Sequence, residues 1–247
     1  MDGVGVPTNL GVKIMAQLDF TDLTSSASTA VVRRGVTTGI TPPNGGGSFV
    51  YGWNSVSAGI AGTHGAKLNI LNFNPSTKGG RMSAALVKLT SGSTSGFSPY
   101  IFVGGQNDAV SDNAYMLGIQ DGEAGSIVLR KGAVSGGLPQ GNVGDSGILR
   151  KSTTTIPIGT WVHLRIDWIV NPGGDIILKV YQNDLTTNPV SAPVWVAIAG
   201  MDDFVDDALG INSGSLPYTS GRWGKGFTFS DANRRAAIDH LVVESQL

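Results

Sequence analysis

The chain of 247 residues carries 17 Lys and Arg against 18 Asp and Glu, a formal net charge of −1, and no cysteine. Disulfides, thiolate metal sites and cysteine nucleophiles are excluded, and the basic residues cluster only as pairs such as Arg33-Arg34, Arg130-Lys131, Arg150-Lys151 and Arg234-Arg235, which offers no basic stripe to a nucleic acid. Charged residues make up 14% of the chain, against about 25% in ordinary soluble domains, and its 36 glycines are about twice the usual share, a composition that tolerates cover by neighbouring molecules.

The start, Met1-Asp2-Gly3-Val4-Gly5, has neither a basic nor an apolar signal region, so no secretory signal is expected. Residues 1–28 have weak periodicity and are expected to form an N-terminal arm or a first strand; residues 29–247 read as one sandwich domain. Strands are predicted at Thr29–Val36, Ser48–Trp53, Ala66–Phe73, Arg81–Leu89, Tyr100–Gly104, Ala114–Gln120, Ser126–Arg130 and Gly147–Lys151. The last two resemble each other, Ile-Val-Leu-Arg-Lys against Ile-Leu-Arg-Lys.

Alternation is clearest from Trp161 to Val170. Val162, Leu164, Ile166, Trp168 and Val170 share one face, which marks it as core. His163, Arg165 and Asp167 share the other, which is either wet or covered by a partner. Asn171-Pro172-Gly173-Gly174-Asp175 supplies a turn, and Ile176–Gln182 returns as the second arm of a hairpin. The apolar run Val194–Met201 is too short to span a bilayer, so no membrane partner is expected. From Met201 to Leu209 the apolar residues Met201, Phe204, Val205, Ala208 and Leu209 recur at helical spacing, which predicts one short helix stopped by Gly210. Gly226–Phe229 and Ala236–Glu244 are the last predicted strands. A dozen short strands without long helices between them argue for two packed antiparallel sheets.

Gly159-Thr160-Trp161-Val162-His163-Leu164-Arg165-Ile166-Asp167, followed by Asp175–Tyr181 and by the ending Gly224–Phe229 and Ala236–Val243, resembles concanavalin-like and laminin-G-like jelly rolls. The resemblance implies an all-β, two-sheet antiparallel jelly-roll sandwich, here with one short helix. The stretch from Ile148 to Leu247 also resembles virion structural proteins of tailed bacteriophages, through Met201–Leu209, Asn212–Ser215 and Ser220–Gly224. That likeness implies a non-enzymatic particle component, in a capsid decoration, fibre or tail, located on the virion, self-associating as a homo-oligomer and contacting other virion proteins.

Some jelly rolls are glucanases, whose retaining chemistry needs two carboxylates about 5–5.5 Å apart. The chain has only Glu123, in the turn with Asp121, and Glu244, so no glycosidase pair is expected. Gly144-Asp145-Ser146-Gly147 looks like a serine-protease nucleophile loop, yet His64 lies in glycine-rich surroundings unlike that family's and Ile148 replaces a glycine; the stretch reads as a turn. Asp202, Asp203, Asp206 and Asp207 with Asn212 offer oxygens to a calcium ion, but helical spacing favours a solvated acidic face, so no cofactor is expected. His163 and His240 lack a second histidine at ligand spacing and read as polar strand or core histidines. Tyr218, Arg222 and Trp223 lie in a turn-rich loop. Residues of these types on a loop are candidates to contact a partner or a glycan, and the alternative is that their rings fold back over the sandwich. Host-glycan binding by a lectin-like module is therefore the alternative to a particle component.

Overall fold

The computed structural model describes residues 13–15, 20–24, 33–34, 41–46, 51–54, 62–68, 79–90, 97–105, 113–120, 125–135, 138–139, 147–207, 216–229 and 235–245. Their strands are β1 (Lys13–Met15), β2 (Phe20–Thr24), β3 (Arg33–Arg34), β4 (Tyr51–Asn54), β5 (Gly62–Leu68), β6 (Gly80–Lys88), β7 (Phe97–Gly105), β8 (Asn113–Gln120) and β9 (Gly125–Ser135). They continue with β10 (Leu138–Pro139), β11 (Ile148–Ile156), β12 (Trp161–Val170), β13 (Ile176–Asn183), β14 (Trp195–Ala197), β15 (Phe204–Asp206), β16 (Arg222–Phe229) and β17 (Arg235–Ser245).

Two antiparallel sheets contain them. The first runs β14-β13-β12-β6-β17-β4-β3, with β1 beside β17 and β15 beside β13. The second runs β10-β9-β8-β7-β16-β5-β2, with β11 beside β9. Within residues 1–28, Lys13–Met15 pairs with β17 and Phe20–Thr24 with β5, so both segments are strands of the sheets.

Period-two alternation makes the core. Val162, Leu164, Ile166 and Trp168 of β12 meet Met82, Ala84 and Leu86 of β6 and Ile176, Leu178 and Val180 of β13 on one face. Ile101 and Val103 of β7, Tyr115, Leu117 and Ile119 of β8, and Ile127 and Leu129 of β9 cover them from the second sheet. Each such fully buried aliphatic or aromatic side chain contributes about 1.5–3 kcal/mol by leaving water. The predicted hairpin is present: β12 and β13 pair from Val170↔Ile176 to His163↔Asn183. Its turn closes through Gly174 N–H donating to Asn171 O (2.8 Å), with Gly174 at φ +93°, where glycine carries no steric penalty. The similar segments at residues 126–130 and 147–151 lie side by side as β9 and β11, with register shifts that mark bulges.

Three expectations need correction. Residues 201–207 form a bend and the strand β15 rather than a helical turn, because Phe204, Val205 and Asp206 pair with Leu178, Ile177 and Ile176 of β13. Ladder hydrogen bonds to an existing sheet edge outweigh the weak preference of so short a helix. The rest of the predicted helix, 208–210, lies outside the described residues. His64 belongs to β5, paired between β16 and β2, and not to a loop. The outer face of β12 is largely withdrawn from solvent by the chain itself: His163 is 0% exposed and packs against Trp195, and Asp167 is 7% exposed and pairs with Arg165. Among the described residues no helix is long and apolar enough to cross a membrane.

Candidate functional site: a cleft on the outer face of the first sheet

The polar face of β12 places His163 and Arg165 beside Ser83 of β6, across β6 from Val242 and Glu244 of β17. His163, Arg165, Ser83, His240, Val242 and Glu244, with Val190, Pro193 and Trp195, line an open cleft of about 70 Å³. This volume is small beside the roughly 300–1,000 Å³ of enclosed small-molecule sites. It suits a group laid on a surface rather than one swallowed whole.

One wall is the segment that follows β13. Its first turn is built by Asp184, whose Oδ1 accepts from Thr186 N–H (2.9 Å) and Thr186 Oγ1–H (2.7 Å). These hydrogen bonds hold the Asp184 carboxyl below its ordinary range. The segment is clasped to the loop Thr41–Gly46: Asn44 Nδ2 donates to Leu185 O (3.0 Å) and Val190 N–H donates to Asn44 O (2.9 Å). Gly45 sits at φ +73°, and a β-carbon there would stand 2.5 Å from Pro189 Cβ, so only glycine permits this approach. Trp195, the first residue of β14, is partly buried. Its sequence neighbours Val194 and Val196 are 55% and 63% exposed and give the wall an apolar rim.

The opposite wall is a bulge. The pairing of β17 with β6 shifts register between Asp239 and Val242, and His240 lies in that gap at φ +47°, the one non-glycine residue with positive φ among the described residues. Its N–H is taken by Asp239 Oδ1 (2.8 Å). Bulges and left-handed residues of this kind re-aim side chains beside functional sites and persist only where the surrounding structure holds them.

The floor is aromatic and cationic. The His163 ring lies 4.6 Å from the Trp195 ring and 5.8 Å, edge to face, from His240. The Arg165 guanidinium stacks on Tyr181 (4.1 Å) and on Trp195 (5.2 Å) while pairing with Asp167 through Nε–Oδ1 (2.8 Å) and Nη2–Oδ2 (3.1 Å). Burial pushes the His163 imidazole down to about 3, with the neighbouring His240 adding to the shift, so the ring is neutral at physiological pH. Burial also pushes the Asp167 carboxyl up, against the lowering effect of Arg165. Glu244 ion-pairs with Arg81 at 3.7 Å.

The residues singled out in the loop sit elsewhere. Trp223 is 1% exposed and packs edge to face on Trp168 at 5.9 Å, and Tyr218 is 7% exposed and packs on Tyr115 at 5.0 Å. Neither ring offers a face to a sugar or a partner; both fold back into the sandwich. Arg222 opens β16, and its side chain lies outside the described residues. Tyr218 belongs to a buried polar network, since its N–H donates to Tyr115 Oη (3.0 Å), which donates in turn to Asp206 Oδ2 (2.5 Å). Lys131 Nζ pairs with the same oxygen at 2.6 Å and lies 4.8 Å from the centre of the Tyr218 ring. Burial and the hydrogen bond to Asp206 raise the Tyr115 hydroxyl far above its usual range.

Asp206 is therefore a buried ion-pair partner and not part of a solvated face; β15 turns it inward while Val205 points out. Asp202, Asp203 and Asp207 are exposed, and Asp203 pairs with Lys179 at 3.3 Å. Asn212 lies outside the described residues, as do Asp121, Glu123, Asp145 and Ser146. Among the described residues, no three His, Asp or Glu side chains gather as a metal cage.

The two sheets and their order define a concanavalin-like, lectin-like jelly roll. The exoplasmic/lumenal domain of VIP36, in a Ca2+/Man-bound form, superimposes with a TM-score of 0.51 over 92% of this chain and 83% of that one, at 11% identity. The carbohydrate-binding module CBM66 from Bacillus subtilis reaches 0.46 over 94% and 95% at 8% identity, and an alginate lyase Aly36B mutant with an alginate tetrasaccharide reaches 0.41 over 92% and 97% at 9%. The sequence matches no family profile and no curated protein. None of these likenesses points to a bacteriophage particle.

Proposed function

We propose that the protein is a carbohydrate-binding, lectin-like module whose ligand lies in the cleft between the Asp184–Trp195 segment and the β17 bulge. The observation that carries this reading is the composition of that cleft. A partly exposed indole with an apolar rim stands beside a histidine, a serine, a glutamate and a stacked arginine. Sugars present an apolar C–H face and a fringe of hydroxyls, which fits an aromatic wall next to polar groups. The shared fold with a domain solved in a Ca2+/Man-bound form supports the reading without assigning it, since one fold hosts many functions. The particle-component reading has no comparable observation behind it.

The test is an array of immobilised glycans probed with the full-length protein. The expected result is retention on at least one saccharide class, weakened at least about tenfold by Trp195→Ala while the β-sheet circular dichroism is kept. Wild-type protein that binds nothing on the array would refute the proposal.

A further inference from the structure

The segment from Asp184 to Trp195 is tied to the loop Thr41–Gly46 through both polar ends of Asn44. Its side-chain Nδ2 donates to Leu185 O (3.0 Å), and its backbone O accepts from Val190 N–H (2.9 Å). Val190, Pro193 and Trp195 of the tied segment line the cleft. The loop is itself pinned. Trp161 Nε1–H donates to Thr41 O (2.8 Å), Gly46 N–H closes a turn on Pro43 O (2.7 Å), and a β-carbon on Gly46 would stand 2.5 Å from Asp239 Oδ2. Pro43 is buried, whereas Asn44 and Gly45 are exposed at the tip of the turn.

The residue after Asn44 gives this tie a chemical weakness. Asn44-Gly45 is the one Asn-Gly step in the chain. The backbone nitrogen of the following residue can attack an asparagine side chain, and a glycine there has no side chain to block the approach and the freest backbone to reach it. Attack of Gly45 N on Asn44 Cγ forms a C–N bond. The Cγ–Nδ2 bond then breaks, ammonia leaves with the proton lost from Gly45 N, and a cyclic imide remains. Water opens the ring at either carbonyl to give aspartate or isoaspartate, and no other reactant takes part.

Either product undoes the tie. Aspartate puts an acceptor-only carboxylate where Nδ2 donated, so oxygen is set against Leu185 O. Isoaspartate lengthens the main chain by a methylene inside a closed turn and turns the carbonyl that serves Val190 N–H into a free carboxylate.

We infer that Asn44 is a site of deamidation, and that its conversion releases the Asp184–Trp195 wall of the cleft from the Thr41–Gly46 loop. The step needs only water and time, and it acts on the wall whatever the cleft holds.

The experiment incubates full-length protein in mildly alkaline buffer and follows the peptide containing Asn44 by mass spectrometry. The expected result is a gain of about 1 Da at Asn44, ahead of every other asparagine. Asn44→Gln, whose longer side chain closes a ring slowly, should stay unconverted over the same period. Amide hydrogen exchange then compares fresh wild type, the converted fraction separated by its added negative charge, and Asn44→Asp. Exchange across residues 185–195 should be at least about threefold faster in both acidic forms, as the loss of a hydrogen bond requires, with exchange in β6 and β8 unchanged. Asn44 unchanged after weeks, or outpaced by another asparagine, would overturn the site. Conversion that leaves exchange across residues 185–195 as it was would overturn the release of the wall.

Discussion

Replacing His163 with phenylalanine changes how stability depends on pH, and the size of the change follows from the structure. The folded imidazole is pushed from the ordinary 6.5 down to about 3. Below 6.5 the unfolded chain takes up a proton that the folded chain refuses, so stability from this group is full above 6.5 and is lost as pH falls towards 3. The slope is about 1.4 kcal/mol per pH unit while only the unfolded state is protonated. Between about pH 7.5 and about pH 4.5, two units fall in that window, a loss of roughly 3 kcal/mol. Other groups near the ring are Arg165, Asp167, His240 and Glu244. The raised carboxyls of Asp167 and Asp239 act in the opposite sense, since the fold favours their protonated forms. Comparing wild type with His163→Phe cancels these contributions. Urea unfolding at the two pH values measures both free energies, and the wild type should lose roughly 3 kcal/mol more than the variant. Parallel losses in the two proteins would show that the imidazole is not held neutral by burial.

Two further outcomes concern the opposite end of the sandwich. Asp206→Asn removes the carboxylate from the buried contact with Lys131 and should cost about 3–5 kcal/mol in urea unfolding, whereas Asp206→Leu combined with Lys131→Met should recover much of it, because both charges leave together. A single-variant cost under about 1 kcal/mol would contradict the burial of the pair. Trp223→Ala should cost about 3–5 kcal/mol through the cavity left against Trp168, and should leave the affinity for any retained glycan unchanged at temperatures where the variant is folded. A specific loss of glycan affinity in a fully folded Trp223→Ala would return that residue to the binding surface.

The sandwich was legible in the sequence where the signal is local. The alternation of Val162, Leu164, Ile166 and Trp168, and the Asn171–Asp175 turn, define a hairpin without reference to any distant residue. The candidate site was less legible because it is made by pairings far apart in the chain: β6 lies between β12 and β17, so Ser83, His163 and His240 meet across more than 150 positions. The polar face of His163, Arg165 and Asp167 was a visible signal, and Trp195 within the apolar run 194–201 was another. Nothing in local spacing says that one folds over the other. Tyr218 and Trp223 show the converse failure: turn-rich surroundings suggest a surface, while burial is decided by which strand the chain enters next. At Asp206 a helical pattern lost to a sheet edge that the sequence does not announce.

The position of the final strands governs how this polypeptide assembles. In the first sheet β17 separates β6 from β4, and in the second β16 separates β7 from β5. On a translating ribosome the second sheet cannot close until Arg222–Phe229 has emerged, nor the first until Arg235–Ser245 has, and strands made earlier wait with unpaired edges. Contacts of such sequence separation make folding slow and leave the nascent chain open to aggregation, so the yield of native protein depends on protection of those edges during synthesis.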